Sequence, residues 1–291
     1  LLFILFINDI VSCVSDAKIL LFADDVKLFL SVRSVLDCTR LQADIEHVSN
    51  WCFKNHLSFN PEKTKHIVLS RKRELISFSY NLEGALIPRV SFVRDLGVRI
   101  DSSLFFKEHV SITVNAALRV LGIISRLCRR FSSPSCLLHL FKSLVRSRLE
   151  FGSVIWNSLS LRQSTDIENV QLRVIRIVYD RYIGRRSFYH YETLLHRFAL
   201  HELAVRRQSR DLVFLYKVVH GHVRSMDLLR SIDFHVPSRV SRNVLTFYPS
   251  CMSPVSLLLR IQLAFNKEHH LDIFMCLREF TLLLREWMSF A

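Results

Sequence analysis

The spacing of apolar positions changes twice along this chain, and each change predicts a different kind of element. In residues 18–30, Lys-Ile-Leu-Leu-Phe-Ala-Asp-Asp-Val-Lys-Leu-Phe-Leu, two short apolar runs meet at adjacent carboxylates. Runs of that length rich in Ile, Leu and Phe suit strands, so the pattern predicts a hairpin with Ala23-Asp24-Asp25 as its connection. From Ser34 the period becomes helical: Ser34 with Asp37 resembles a capping box with a shortened acid, and Cys38, Leu41, Ile45, Val48 and Cys52 form one apolar stripe. Asn55 is a stop signal. Residues 57–59 and 66–70 are expected as short strands around an Asn60-Pro61-Glu62 turn, with Lys63, Thr64 and Lys65 on the connecting loop. A second hairpin is expected over 80–87 around Glu83-Gly84. Residues 92–100 contain Asp95-Leu96-Gly97-Val98, where Gly97 supplies a backbone conformation closed to other residues.

After Ser102-Ser103 the pattern is helical almost throughout. Val110, Val114, Ala117, Leu121, Ile124 and Cys128 make one stripe, with Arg119, Arg126, Arg129 and Arg130 at other positions. Ser133 with Pro134 announces a second helix, running through Leu137, Leu138, Phe141, Leu144 and Val145. Further helices are predicted over about 165–179 and 192–220, the latter one long or two shorter and bearing Arg206, Arg207 and Arg210. Residues 236–239 and 248–254 read as loops, and 257–290 as two apolar helices broken around 266–270. The His269-His270 pair in that break lacks a Cys or carboxylate partner at helical spacing, so it reads as solvated loop.

Composition narrows the class. A chain of 291 residues, 50% hydrophobic and 23% charged, can bury one large or two ordinary cores, and with 6 Gly and 6 Pro it favours helices over an all-β fold. Its 7 cysteines are scattered without metal-ligand spacing and read as reduced core residues of an intracellular protein. No apolar stretch is expected to reach membrane-spanning length, and no membrane partner is expected. Because residue 1 is Leu and the first residues are already apolar in mid-pattern, the chain is expected to be a fragment. The net charge of +14 is uneven: residues 1–60 carry −2, 61–105 carry +3, 106–220 carry +11 and 221–291 carry +2. An acidic turn followed by a basic helical region suits a polyanion with its reactive end at the carboxylates.

The candidate chemistry starts from Asp24 and Asp25. Asp favours turns for local reasons alone. Two adjacent carboxylates nonetheless repel unless a cation sits between them, and oxygen-rich sites of this kind suit Mg²⁺ with substrate phosphates as the other ligands. A lysine on the loop at Lys63 and Lys65 would suit a triphosphate and its leaving pyrophosphate.

In order and spacing these segments resemble the reverse transcriptases of non-LTR retrotransposons of the LINE or Jockey-like kind, over nearly the whole chain. Residues 1–10 resemble the end of the helix after the template-contacting motif, and Phe22-Ala23-Asp24-Asp25 resembles the catalytic box, with Phe where Tyr is common. The helix ending in Trp51-Cys52 and the Leu57 to Lys65 stretch are similar to the following motif. Arg94-Asp95-Leu96-Gly97-Val98 resembles the primer-grip turn, residues 117–123 and 149–156 resemble the thumb and the segment after it, and weaker similarity continues through 236–239.

The resemblance implies an α+β fold: a partial palm of antiparallel strands with flanking helices over 1–101, a basic helical thumb and connection over 102–220, and a C-terminal helical region of unknown role over 221–291. It implies two-metal nucleotidyl transfer copying RNA into DNA, with two Mg²⁺ (or Mn²⁺) ions about 4 Å apart. Asp24 would be the direct ligand and Asp25 the supporting one, with Phe22, Ala23, Lys63 and Lys65 at the nucleotide and Leu96 and Gly97 at the primer end. Arg119, Arg126, Arg129 and Arg130 would meet backbone phosphates. The implied partners are an RNA template, a DNA primer, dNTPs and the upstream half of the polymerase, in a cytoplasmic ribonucleoprotein and the nucleus. The family's other catalytic Asp lies on an earlier strand, and neither Asp9 nor Asp16 stands in for it, so the chain alone is expected to be inactive. The alternatives are a non-catalytic nucleic-acid-binding remnant or unexpressed relic, and a helical scaffold without a nucleic-acid partner, against which the charge of 106–220 counts.

Overall fold

Helix α2 (Val35–Lys54) organises the first of two compact units, residues 1–103 and 104–291, in a computed structural model. The structure describes residues 2–130, 133–184, 190–236, 245–248, 256–268 and 270–290; the expectations for 237–239, 249–254 and His269 lie outside them. Ser34 caps α2 as the spacing predicts. Its side chain accepts the Asp37 N–H, and the Asp37 carboxylate accepts the Ser34 N–H at 2.9 Å, so the shorter acid still closes the box.

The helix serves two small cores. Val48, Trp51 and Cys52 are buried with Ile7 and Ile10, from helix α1 (Leu2–Ile7) and the 3₁₀ turn after it, and with the inner face of a hairpin, β1 (Lys18–Phe22) and β2 (Asp25–Phe29). Cys38 is buried with Tyr80, Leu82 and Ile87 around the hairpin β3 (Asn81–Leu82) and β4 (Ala85–Leu86). A third hairpin joins β5 (Phe92–Asp95) to β6 (Val98–Asp101). Among the described residues each hairpin is a separate two-stranded antiparallel sheet.

Two expected strands do not form. Residues 57–59 send Leu57 and Phe59 into the core without a ladder partner. Residues 66–70 are extended but pair only at a His66–Arg89 bridge, with Ser70 N–H donating to Ser102 O at 3.0 Å. The His66 N–H donates to Pro88 O at 3.1 Å and Val90 N–H returns a bond to His66 O at 2.9 Å, and the parallel pairing goes no further than this one bridge.

The second unit is helical. Helix α3 (Lys107–Leu127) buries Val110, Ala117, Leu121 and Ile124, followed by Cys128. By length and composition alone, with mean hydropathy 1.4, α3 could cross a membrane, contrary to the expectation that no segment approaches that size. A core helix meets the same criteria, and this one packs its stripe against later helices of its own unit. Helix α4 (Pro134–Leu140) starts at Ser133 as expected, then widens into a π-helical turn (Phe141–Arg146) before α5 (Ser147–Glu150). The wider turn keeps Phe141, Val145 and Leu149 buried and puts Leu144, expected in the stripe, at the surface.

After α6 (Ser153–Trp156), helix α7 (Leu161–Tyr182) begins earlier than expected because Ser160 and Gln163 form a second capping box. Residues 192–220 resolve into two helices, α8 (Tyr191–Arg197) and α9 (Leu203–Val219). With α10 (Met226–Arg230), α11 (Leu257–Lys267) and α12 (Leu277–Phe290), α9 encloses a core that includes Leu212, Leu215, Phe265 and Phe280. Helices with small antiparallel hairpins make the chain α+β. The six described cysteines are free thiols.

Candidate functional site

The register Phe22↔Asp25 makes the β1–β2 connection only two residues long, Ala23 and Asp24. Asp25 is therefore the first residue of β2, a correction to the three-residue connection the spacing suggested. The tight turn places Ala23 at φ +52°, a left-handed conformation favoured in two-residue hairpin loops. Ile19, Leu21, Val26 and Leu28 pack inward, so alternation puts Phe22, Asp25 and Lys27 on the opposite face. Asp24 and Asp25 are both exposed. Among the described residues neither carboxylate caps backbone or forms an ion pair. Both are therefore open to solvent. They are not a complete ligand set, for the described residues contain no group of three or more His, Cys, Asp or Glu side chains fit to bind a metal.

What fixes the hairpin is a residue that sequence reasoning missed. Asp44 on α2 is 1% exposed, and its carboxylate accepts the N–H groups of Ser15, Asp16 and Ala17 at 2.8, 3.0 and 2.7 Å. Those residues lead directly into β1. Burial pushes the Asp44 carboxyl up, but the three backbone donors together outweigh it and hold the group below its usual 3.8. A signal was present: Asp44 stands three residues after Leu41 and four before Val48, inside the apolar stripe.

The β5–β6 turn consists of Leu96 at φ +44° and Gly97 at φ +90°, again a two-residue connection, and Gly97 takes the positive φ at no Cβ cost. Lys27 reaches across to Asp95, just before that turn, with Nζ 2.5 Å from Oδ1. The structure thus links the acidic hairpin to the Leu96-Gly97 turn. Lys63 and Lys65 are exposed on a loop closed by Asn60, whose side-chain oxygen accepts the Lys63 N–H at 3.2 Å. No side-chain contact among the described residues ties either lysine to the acidic turn.

In the second unit Arg119, Arg126 and Arg129 are exposed, while the Arg130 side chain lies outside the described ones. An open groove of about 480 Å³ between α3 and α7 is lined by Leu118, Asn169, Arg173 and Arg176 with Asp166, and Asn115 and Arg119 line a neighbouring one. Part of the positive charge is internal. Arg206 and Arg210 are paired with Glu150, which is 2% exposed. Arg207, 1% exposed, donates to Asn157 and Ser164, and Arg260 pairs with buried Asp211 at 3.2 Å. Burial raises the Asp211 carboxyl above its usual range, against the pull of Arg260 and Asn157.

No family model and no solved structure matches the chain. Among curated proteins it is 25% identical over 194 residues, 65% of its length, to the "Probable RNA-directed DNA polymerase from transposon BS" of Drosophila melanogaster. It is 23% identical over 164 residues, 55% of its length, to the "RNA-directed DNA polymerase from mobile element jockey" of the same organism. The chain is similar to a LINE-like reverse transcriptase region. It spans about a fifth of each relative's length, 21% and 18% respectively.

Proposed function

We propose that this chain is part of an RNA-directed DNA polymerase of a non-LTR retrotransposon, with residues 1–101 a partial palm, 102–220 a thumb and connection, and 221–291 a helical region without assigned chemistry. The observation that carries the proposal is a pair of exposed adjacent carboxylates, without partners among the described residues, Asp24 in a two-residue hairpin turn and Asp25 opening the strand after it, in a chain similar to two such polymerases. Mg²⁺ or Mn²⁺, held by Asp24 with Asp25 in support, would supply an activated primer hydroxyl and a stabilised leaving group. The chain's own residues do the positioning. Leu96 and Gly97 hold the primer end, Lys63 or Lys65 meets the triphosphate, and Arg119, Arg126, Arg129 and Arg130 hold backbone phosphates of an RNA template and DNA primer without reading sequence.

One or two carboxylates are enough to bind Mg²⁺ when waters and substrate phosphates complete its octahedron. The resemblance places a further catalytic Asp on an earlier strand, so on this reading the chain alone binds nucleic acid without extending a primer, and the upstream half of the polymerase supplies that acid. The intact protein works inside the cell, in a cytoplasmic ribonucleoprotein and in the nucleus. The test joins the chain in frame behind the upstream half of a jockey-type polymerase. Wild type should extend a primer with Mg²⁺ and dNTPs, and Asp24→Ala should lose synthesis while keeping salt-dependent RNA binding. Synthesis that survives Asp24→Ala overturns the reading.

The absence of a third metal-binding side chain among the described residues favours a second reading, a non-catalytic nucleic-acid-binding remnant. On that reading the joined protein binds RNA but never extends a primer.

A further inference from the structure

The acidic hairpin and the Leu96-Gly97 hairpin belong to separate two-stranded sheets, so no backbone ladder sets the distance between their turns. A side-chain contact joins them instead. Lys27 stands two residues after Asp25 on the same face of β2, because alternate residues of a strand share a face. Asp95 is the last residue of β5 and the ladder partner of Val98, so it directly abuts Leu96 and Gly97. The Lys27 Nζ–Asp95 Oδ1 contact of 2.5 Å joins these positions through side chains 33% and 28% exposed. Asp25 to Leu96 is thus spanned by two strand residues, one ion pair and one peptide bond. We propose that the Lys27–Asp95 pair is a positioning contact that sets the spacing between the carboxylate turn and the primer-end turn. The inference rests on the polymerase reading given above.

Two physical arguments separate this role from general stabilisation. An ion pair about one-third exposed and reached by solvent contributes little to folding stability, so breaking it should leave the fold intact. A misplacement of about 1 Å at a reacting centre, by contrast, costs up to about a hundredfold in rate. The pair also keeps Lys27 occupied. If released, Lys27 is near enough along its strand to neutralise Asp25, with which it shares a face, and to compete there with a divalent cation.

The test uses the joined protein described above, with single-nucleotide addition measured under saturating primer–template across a Mg²⁺ series. Lys27→Gln and Asp95→Asn should each lower kcat about ten- to a hundredfold, with primer–template affinity and thermal midpoint close to wild type. Asp95→Asn should also need more Mg²⁺ for half-maximal rate. Lys27→Arg, which keeps the pair, and the exchange Lys27→Asp with Asp95→Lys should recover most of the rate. If the single variants extend as fast as wild type, or the exchange is as slow as they are, the positioning role is wrong and the polymerase reading stands. A variant that slows addition only in proportion to lost folded protein likewise overturns it. If wild type fails to extend, or Asp24→Ala extends equally well, the polymerase reading fails and takes this inference with it.

Discussion

Replacing Asp44 should release the acidic hairpin from α2 without touching either turn residue. The carboxylate accepts three backbone N–H groups from residues 15–17 and is itself 1% exposed. Hydrogen bonds to a charged acceptor contribute about 1.5–3 kcal/mol each. Water can reach Ser15 and Asp16 once the carboxylate is gone, so the lower end applies and Asp44→Ala should cost about 4.5 kcal/mol, concentrated in β1 and β2. Asp44→Asn keeps one acceptor oxygen but turns an amide toward the other donors, and should cost about half as much. Amide hydrogen exchange resolves this locally: residues 19–28 should lose protection, while α9 and α11, in the other unit, should not. The sign of the acid dependence follows from the depressed carboxyl. Its contribution is fully present above the unfolded value of 3.8 and is lost as pH falls through the lower folded value. Wild type should therefore lose hairpin protection on acidification below about pH 4, and Asp44→Asn should show a shallower acid slope. Unchanged protection of residues 19–28 in Asp44→Ala would refute the claim that this carboxylate anchors the hairpin.

Other substitutions probe the remaining parts of the account. Ala23 adopts φ +52°, so Ala23→Gly should relieve left-handed strain by more than the added chain entropy costs and raise stability in a urea melt by about 0.5 kcal/mol. Glu150→Gln removes the charge that Arg206 and Arg210 share, and should destabilise the second unit by about 3 kcal/mol, read from exchange of the α9 amides. Arg119→Ala should weaken RNA binding and lower the slope of log affinity against log salt by about 0.7 for a single strand, whereas Arg207→Ala should act through stability instead.

The elements that could be read directly from the residues are those fixed locally. The apolar runs of 18–30 specify a hairpin, Ser34 with Asp37 specifies a helix start, and Gly97 marks a turn that needs positive φ. The connection came out one residue too long because strand pairing extends to Asp25 as soon as Ala23 tolerates the left-handed region. Residues 57–59 and 66–70 have strand composition, but a strand needs a ladder partner along its length, and among the described residues 66–70 meets one only at the His66–Arg89 bridge. Leu144 fits a regular helical stripe and leaves it only because the chain takes a π turn at 141–146. Arg206 and Arg210 look like surface charge on a helix wheel; their partner Glu150 lies at least 56 residues away in sequence, a separation that periodicity does not register. The same holds for Lys27 with Asp95, and for Asp44 with the segment before β1.

The central claim is that Asp24 and Asp25 hold divalent cations, and paramagnetic broadening by Mn²⁺ tests it on this chain directly. Amide signals of residues 22–26 should broaden first as Mn²⁺ is added, and Asp24→Ala with Asp25→Ala should abolish that effect. Broadening that begins elsewhere, or that persists in the double variant, would contradict the account.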